Sequence, residues 1–189
     1  MISGGIRVNV HFLLSSHSSP RMLTIAFLAL LCASASASEI QARSSSFSGE
    51  YGGRGGKPFS HSRNQLDGPI TAIRVRVNRY YIVGLQVCYG KVWSKYVGGK
   101  LGELKEIFLN PGESVVQVSG KYKNYLRKLV FVTDKFRFLT FGKDRGISFK
   151  AVPLYPNTVL RFISGRSSRS IINAIGFHWD VYPSEHENC

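Results

Sequence analysis

The sequence predicts an all-β domain made of three related units. Apolar residues alternate with polar or small ones near the end of the chain, where Ile175, Phe177 and Trp179 share one face of a strand. Three segments resemble one another at intervals of 44 and 46 residues: IVGLQV at 82–87, LRKLVF at 126–131 and INAIGF at 172–177. A repeat of this length predicts repeated supersecondary units, each carrying an equivalent loop at the same end of the domain.

Closely spaced turn signals divide the chain into about twelve strands and leave no room for helices between them. Asn110, Pro111 and Gly112 form the clearest turn, and the last two strands enclose a polar hairpin tip at 164–170. The predicted strands are 44–51, 57–61, 70–77, 81–89, 91–97, 104–109, 114–118, 125–133, 136–141, 147–152, 158–163 and 171–180.

The composition predicts one domain with an affinity for anions. The chain has 189 residues, which is enough for one substantial core, and its basic residues exceed the acidic ones by 14. Removal of residues 1–38 would take away only Arg7 and Arg21 among the charged residues, so the shorter chain would keep a charge of +12. The positive charge therefore belongs to the folded domain, where it favours anionic ligands.

The segment at 22–37 has the features of a secretory signal peptide. An apolar stretch from Leu23 to Ala33 is followed by alternating alanine and serine, the small-residue pattern that signal peptidase requires. We expect cleavage after Ala37, with Ala35 as the alternative. Residues 1–21 are predicted to be an upstream extension, since Met22 could itself start the protein. We therefore expect the protein to be secreted.

Two cysteines, Cys88 and Cys189, would remain after cleavage, and the sequence leaves open whether they pair. Their number excludes a disulfide scaffold, and their spacing does not suit a zinc site. We therefore expect neither a metal nor another cofactor.

The residues from Gly52 to Lys57, GGRGGK, form a loop with few side chains. Glycine allows positive φ and lets a ligand approach the backbone N–H groups closely. The simpler interpretation is a wide turn between two strands.

Five short motifs resemble the jacalin-related lectins over residues 39–183, with 184–189 as a tail. They are SGEYG at 48–52, DGPIT at 67–71, VWS at 92–94, GKD at 142–144 and IGFHWD at 175–180. The resemblance implies a β-prism of three four-stranded Greek-key sheets with pseudo-threefold symmetry, which binds mannose-type glycans at one end without a metal. It also implies the secretory granule lumen and the extracellular space as locations.

The resemblance places the sugar between the glycine-rich loop and the last hairpin. The carbohydrate-binding residues implied are Gly53, Gly55, Gly56, Ser168, Arg169, Ser170, Ile171 and Asn173, with Tyr122 as a ring for stacking. The sequence departs from the family at two of them, because its Gly-x-x-x-Asp pattern is matched by Arg169 and Asn173. Arginine would restrict the backbone, and asparagine has one neutral acceptor instead of a carboxylate, so mannose binding should be weakened.

Basic residues on the same predicted loops indicate anionic glycans as ligands. The predicted anion-binding residues are Arg54, Lys57, Arg79, Lys121, Lys123 and Arg166. A concentrated positive field suits sulfated or phosphorylated glycans. We expect as partners the glycans of glycoproteins and bacterial cell-wall or proteoglycan polysaccharides, with membrane association only through glycans. Nucleic acid would also satisfy the charge, but the signal peptide argues against it.

An enzyme and a structural adaptor are the two alternative classes of function. An enzyme that cleaves glycosides would need two carboxylates across one cleft, and no motif nominates such a pair. His178 is a lone strand histidine with no nucleophile placed beside it, so we interpret it as structural. The second alternative is a basic granule-matrix adaptor that packs secretory cargo by binding sulfated proteoglycan, and it would use the same surface as a lectin.

Overall fold

The computed structural model describes residues 44–181, which form thirteen strands and one short 3-10 helix. Among these residues no helix is long and apolar enough to cross a membrane. The predicted upstream extension 1–21, the signal peptide 22–37, the tail 184–189 and Cys189 lie outside the described part of the chain.

The strand bounds follow the sequence-based expectation closely. The strands are β1 Ser46–Gly52, β2 Lys57–Ser60, β3 Ile70–Val77, β4 Ile82–Tyr89, β5 Val92–Trp93, β6 Val97–Gly98, β7 Glu103–Phe108, β8 Val115–Tyr122, β9 Leu126–Thr133, β10 Phe138–Gly142, β11 Ile147–Ala151, β12 Val159–Ser167 and β13 Ile172–Asp180. The 3-10 helix spans Asn64–Asp67.

The strands form three antiparallel sheets, each with a central hairpin that is paired on both sides with other strands. Sheet I has the order β1-β13-β12-β2, sheet II the order β5-β4-β3-β7 with β6 also paired to β4, and sheet III the order β10-β9-β8-β11. Sheets II and III have Greek-key order, in which a fourth strand returns to lie beside the first of three consecutive ones. Sheet I has the same order with its hairpin last in the chain and β1 and β2 on either side of it. The predicted all-β prism with pseudo-threefold symmetry is confirmed.

The internal repeat found in the sequence coincides with the second strand of each central hairpin. Ile82, Leu126 and Ile172 open β4, β9 and β13, and all three side chains have no exposed surface. The ladders are also interrupted at matching places near the hairpin tips, between Arg76 and Val77, between Lys121 and Tyr122 and between Arg166 and Ser167. The three units therefore share their irregularities as well as their strands.

The core lies between the three sheets and uses one face of each. In β13, Ile175, Phe177 and Trp179 are at most 1% exposed, as their alternation predicts. Phe177 stacks on Phe149 of sheet III, with ring centroids 6.1 Å apart. Full burial of such side chains contributes about 1.5–3 kcal/mol each, so this packing is what holds the sheets together.

Three strand predictions were wrong. The expected strand at 91–97 is divided into β5 and β6, because Ser94 leaves the ladder and bonds to Val87 through both its N–H and its hydroxyl. The expected strands 114–118 and 158–163 both end four residues too early, because β8 continues to Tyr122 and β12 continues to Ser167. Gly120 lies within β8, where a Cβ would be 2.1 Å from the backbone oxygen of Lys128 and 2.7 Å from the Phe149 ring, so glycine lets both approach.

His61 should make the fold sensitive to acid. Its side chain is 2% exposed, and burial lowers its pKa to about 4. A histidine in the unfolded chain binds a proton near pH 6.5, whereas buried His61 stays neutral down to about pH 4. The free energy of unfolding should therefore be highest above pH 6.5 and should fall as the pH drops from about 6.5 to 4. The loss should reach about 3 kcal/mol, at ~1.4 kcal/mol per pH unit.

Unfolding free energies measured at pH 7 and at pH 4 test this expectation. His61→Gln should show a much smaller difference between the two pH values than the unaltered protein. His178→Gln is the control. His178 is only half-buried, so its replacement should leave most of the pH dependence in place. Equal pH dependence in His61→Gln and the unaltered chain would contradict the role of His61.

Candidate binding site at the loop end

The three central hairpins place their tips at one end of the domain, which we call the loop end. Rings from two tips meet there, since the centroids of Tyr81 and Tyr125 are 5.4 Å apart. The glycine-rich loops fill the spaces between tips. A Cβ on Gly53 would lie 2.5 Å from the backbone oxygen of Asn124. The predicted clustering of loops is therefore present.

The glycine-rich first loop lies against the start of β13. Gly52 and Gly56 have φ values of 143° and 77°, conformations that suit glycine. The N–H of Gly53 donates to the backbone oxygen of Asn173 over 3.0 Å. The loop thus has a fixed position next to the residue that the sequence nominated as the sugar ligand.

The side chain of Asn173 is enclosed by this loop. A Cβ on Gly55 would lie 2.9 Å from Asn173 Nδ2, and one on Gly56 would lie 2.6 Å from Oδ1. The residue is 5% exposed, and its buried Oδ1 has no hydrogen-bond partner among the described groups. Such an acceptor is costly to leave unpaired, so a ligand hydroxyl that reached it would be favoured.

Arg166 fastens the first loop from the other side. Its Nε donates to the backbone oxygen of Gly55 over 3.2 Å, and its Nη2 donates to that of Gly56 over 3.0 Å. Two hydrogen bonds from one planar guanidinium fix both the distance and the orientation of the loop. Arg166 therefore positions the loop, in addition to contributing the charge for which the sequence nominated it.

The last hairpin is closed by hydrogen bonds from Ser168. Its N–H donates to the backbone oxygen of Ile171 over 3.0 Å, and its hydroxyl lies 3.4 Å from that of Ser170. Arg169 is exposed at the tip and does not have a positive φ. The turn therefore uses an ordinary backbone conformation at that position, one that arginine can adopt.

Tyr122 packs toward the core, with its ring centroid 6.1 Å from Phe149 and 6.4 Å from Tyr51. Its ring is half-buried, whereas Tyr80 at the neighbouring tip is 47% exposed. The more exposed aromatic surface thus lies at the tip of the hairpin formed by β3 and β4.

The predicted cations occupy the loop end but differ in their partners. Lys121 forms an ion pair with Asp144 at 3.3 Å, and Arg79 lies over the ring of Tyr80 at 5.4 Å. Lys123 is exposed and forms no ion pair with any described residue. Arg54 and Lys57 are also exposed, on either side of Gly55 and Gly56.

One signal in the sequence was missed. Pairs of glycines four residues apart recur at each loop: Gly52 and Gly56, Gly98 and Gly102, and Gly142 and Gly146. All six have positive φ. The pattern would have located all three glycine loops of the loop end.

His178 has the structural role expected of it. Its ring stacks on Phe162 with centroids 4.0 Å apart, and its Nε2 lies 2.8 Å from the hydroxyl of Ser164. Burial lowers its pKa. Among residues 44–181 there is no group of three or more histidine, cysteine or acidic side chains that could hold a metal ion.

A three-sheet β domain with a polar side chain between a glycine-rich loop and a hairpin is the arrangement of a binding protein of the lectin class. The chain belongs to the family of the Jacalin-like lectin domain, whose model matches residues 48–178. This confirms the predicted resemblance and the prediction of a binding protein rather than an enzyme.

Two curated relatives match closely along their whole length. Zymogen granule membrane protein 16 of Homo sapiens is 78% identical over 168 residues, which cover 89% of this chain and 100% of the relative. The Mus musculus protein of the same name is 71% identical over the same coverage.

Solved structures confirm the fold. A prostate-specific WGA16 glycoprotein lectin superimposes with a TM-score of 0.65 and 31% identity, covering 73% of this chain and 100% of that one. Artocarpin complexed with Me-alpha-mannose superimposes with a TM-score of 0.61 over 72% of this chain and 98% of its own, at 24% identity.

Proposed function

We propose that the loop end binds glycans, with mannose-type sugars held at the first loop and the last hairpin and with anionic groups favoured by the surrounding cations. The observation that carries the proposal is the enclosure of Asn173 by Gly55 and Gly56, which leaves a buried acceptor without a partner among residues 44–181. A sugar hydroxyl can donate to that acceptor.

The site is suited to weak neutral binding. Little of Asn173 is exposed, so the surface offered to a ligand is mainly the backbone of the first loop and the tip of the last hairpin. A neutral amide oxygen gives a weaker hydrogen bond than a carboxylate. Neutral monosaccharides should therefore bind less tightly than sulfated oligosaccharides, whose attraction to the loop end falls as salt rises.

Lys123→Ala should weaken retention on a heparin column, so that elution needs less salt. Lys123 is exposed at a hairpin tip and has no ion-pair partner among the described residues, whereas Lys121 is already paired with Asp144. Lys121→Ala should consequently have the smaller effect. Both variants should keep the stability of the unaltered protein, because exposed charges contribute only about 0–1 kcal/mol.

Lys91→Ala is the matched control, since Lys91 is exposed in the turn after β4 at the end of the domain away from the hairpin tips. It removes the same charge from a different place. If Lys91→Ala elutes at the same salt concentration as Lys123→Ala, retention reflects net charge alone, and the loop end is not the anion site.

A granule-matrix adaptor is the second candidate, and the excess of basic residues favours it. An adaptor would bind sulfated polymers without competition from a neutral monosaccharide, whereas a lectin would be displaced by one. Competition on the same column with methyl mannoside separates the two. Under either function we place the protein in the secretory pathway, in the granule lumen and the extracellular space, on the basis of the predicted signal peptide and the name of its curated relatives.

A further inference from the structure

We propose that a second copy of this chain binds at the end of the domain away from the hairpin tips. The contact is made by three exposed phenylalanines, Phe108, Phe136 and Phe138, which we call the phenylalanine patch, and by a cavity beside them. In the resulting two-fold dimer, Phe136 of each copy enters the cavity of the other. This surface is separate from the loop end, so the inference does not depend on the proposed glycan binding.

The phenylalanine patch lies where the edge strands of two sheets come together. Phe108 ends β7, the outermost strand of sheet II, and Phe138 begins β10, the outermost strand of sheet III. The guanidinium of Arg137 connects them, because it donates to the backbone oxygen of Phe108 over 3.4 Å. Phe108 pairs with Ala72 near the start of β3, which places the patch far from the hairpin tips.

The three rings offer a large apolar surface. Phe108, Phe136 and Phe138 are 64%, 87% and 68% exposed. A buried phenylalanine covers about 150–250 Å², so the three together present on the order of 400 Å². An apolar patch of this size on a single domain is often functional. Two such patches supply roughly 800 Å², about half of the ~1,600 Å² that a specific interface buries.

The turn before β10 holds the Phe136 ring outward at a conformational cost. Phe136 has a φ of 58°, which is a genuine outlier for a bulky residue. Its N–H donates to the backbone oxygen of Thr133 over 3.0 Å, and the N–H of Thr133 donates to that of Arg137 over 3.1 Å, so the turn is closed. Strained residues of this kind cluster at functional sites. The ring therefore serves a contact outside its own domain.

A cavity beside the patch can receive this ring. Its volume of about 510 Å³ lies in the range of small-molecule pockets, and the side chains of Ile70, Leu109 and Pro111 line it. Glu113 also lines it, but its carboxylate is paired with Arg137 at 2.5 Å, so its charge does not oppose an apolar ring. Because Arg137 also bonds to the patch, the ring and the cavity belong to one surface, as a two-fold interface requires.

The distribution of charge favours a second copy over a lipid surface. Asp134 and Lys135 are exposed side by side in the turn, and a two-fold axis would bring opposite charges together there. The exposed cations Arg54, Lys57 and Lys123 lie at the loop end, so copies that meet at their other ends keep these charges apart. An anionic membrane would attract the loop end and leave the phenylalanine patch facing away.

The dimer has two loop ends that face away from each other, because the patch and the hairpin tips lie at opposite ends of each domain. With glycan binding at the loop end, one dimer connects two separate polysaccharide chains. A single domain with one loop end cannot make such a connection.

Sedimentation velocity of the secreted chain from ~1 to ~100 μM should show a monomer that gives way to a dimer as the concentration rises. Phe136→Asn should raise the dissociation constant at least about a hundredfold, because a two-fold interface loses the ring twice. Leu101→Asn is the matched control, since Leu101 is 83% exposed but lies in the glycine loop at the loop end. It should change the constant less than about threefold.

Thermal unfolding separates this contact from a structural role of the ring. Asparagine accepts a positive φ more readily than phenylalanine does. The midpoint of Phe136→Asn, measured where both proteins are monomeric, should therefore not fall below that of the unaltered chain. A lower midpoint would assign Phe136 to the stability of its own domain and would overturn its role in dimerisation.

Photocrosslinking locates the other side of the contact. With p-benzoylphenylalanine in place of Phe136, crosslinked dimers should join residue 136 of one copy to residues 109–114 of the other. Crosslinks confined to other segments, or a chain that stays monomeric at ~100 μM, would overturn the proposal. Binding of a monomer to phosphatidylcholine–phosphatidylserine vesicles that is lost in Phe136→Asn but kept in Leu101→Asn would also overturn it, because the patch would then belong to a lipid surface.

Discussion

Replacing Asn173 by aspartate is expected to raise the affinity for methyl mannoside by about ten- to a hundredfold. The side chain lies between the first loop and the last hairpin, and its Oδ1 accepts no hydrogen bond from the described residues. A carboxylate would offer two charged acceptors to adjacent sugar hydroxyls. The gain of charge-assisted bonding is about 1–3 kcal/mol, and each ~1.4 kcal/mol is tenfold in affinity.

Asn124→Asp is the matched control, because it introduces the same charge at an exposed position on the neighbouring hairpin tip. Calorimetric titration should show that this variant binds mannoside no better than the unaltered chain. A similar gain in both variants would mean that the added charge acts from a distance, and an unchanged affinity in Asn173→Asp would remove Asn173 from the sugar site.

Replacing Arg137 by methionine is expected to destabilise the fold by about 3–5 kcal/mol, the usual consequence of leaving a buried charge unpaired. The Glu113 side chain has no exposed surface, and its carboxylate accepts hydrogen bonds from Arg137 Nη1 at 2.5 Å and from Asn110 N–H at 2.7 Å. Burial raises the pKa of Glu113, but hydrogen bonds from Thr133, Asn110 and Arg137 outweigh this, so the pKa lies below its usual value.

The midpoint of thermal unfolding should fall by roughly 6 to 20 °C in Arg137→Met, at about 2–4 °C per kcal/mol for a domain of this size. Adding Glu113→Gln should recover much of the loss, since the neutral side chain can stay buried. Lys105→Met is the control, because its pair with Glu103 is exposed and 3.9 Å long. A double variant no more stable than Arg137→Met would show that packing of the arginine, not its charge, is what matters.

The fold was predictable because its repeat is visible in single residues. Ile82, Leu126 and Ile172 begin the equivalent strand in each sheet and are fully buried. All three positions therefore require an apolar residue, which makes the repeat visible in the sequence. The break at Ser94 was not predictable, because it depends on bonds to Val87 across the sheet. Gly120 was expected to lie outside the strand, because glycine in a sequence does not distinguish positive φ from close packing, here against Lys128 and Phe149.

The site was predictable in its residues but not in its partners. Sequence reasoning brought the first loop next to Asn173, and the structure places them in contact. It treated Arg166 and Lys121 as equally available cations, yet one bonds to the loop backbone and the other pairs with Asp144. The contact of Arg127 with the ring of Tyr81 was not predictable, because it joins two hairpins that are distant in sequence.

The pairing of β1 with β13 decides how the domain can be mounted on a surface. Ser46 lies opposite Trp179, so the first and last strands enter and leave side by side at the end away from the hairpin tips. A support attached before Ser46 or after Asp180 would leave every tip pointing outward. Copies fixed to one bead in this way would engage a long polysaccharide at several points at once, and weak single contacts would add up to firm capture.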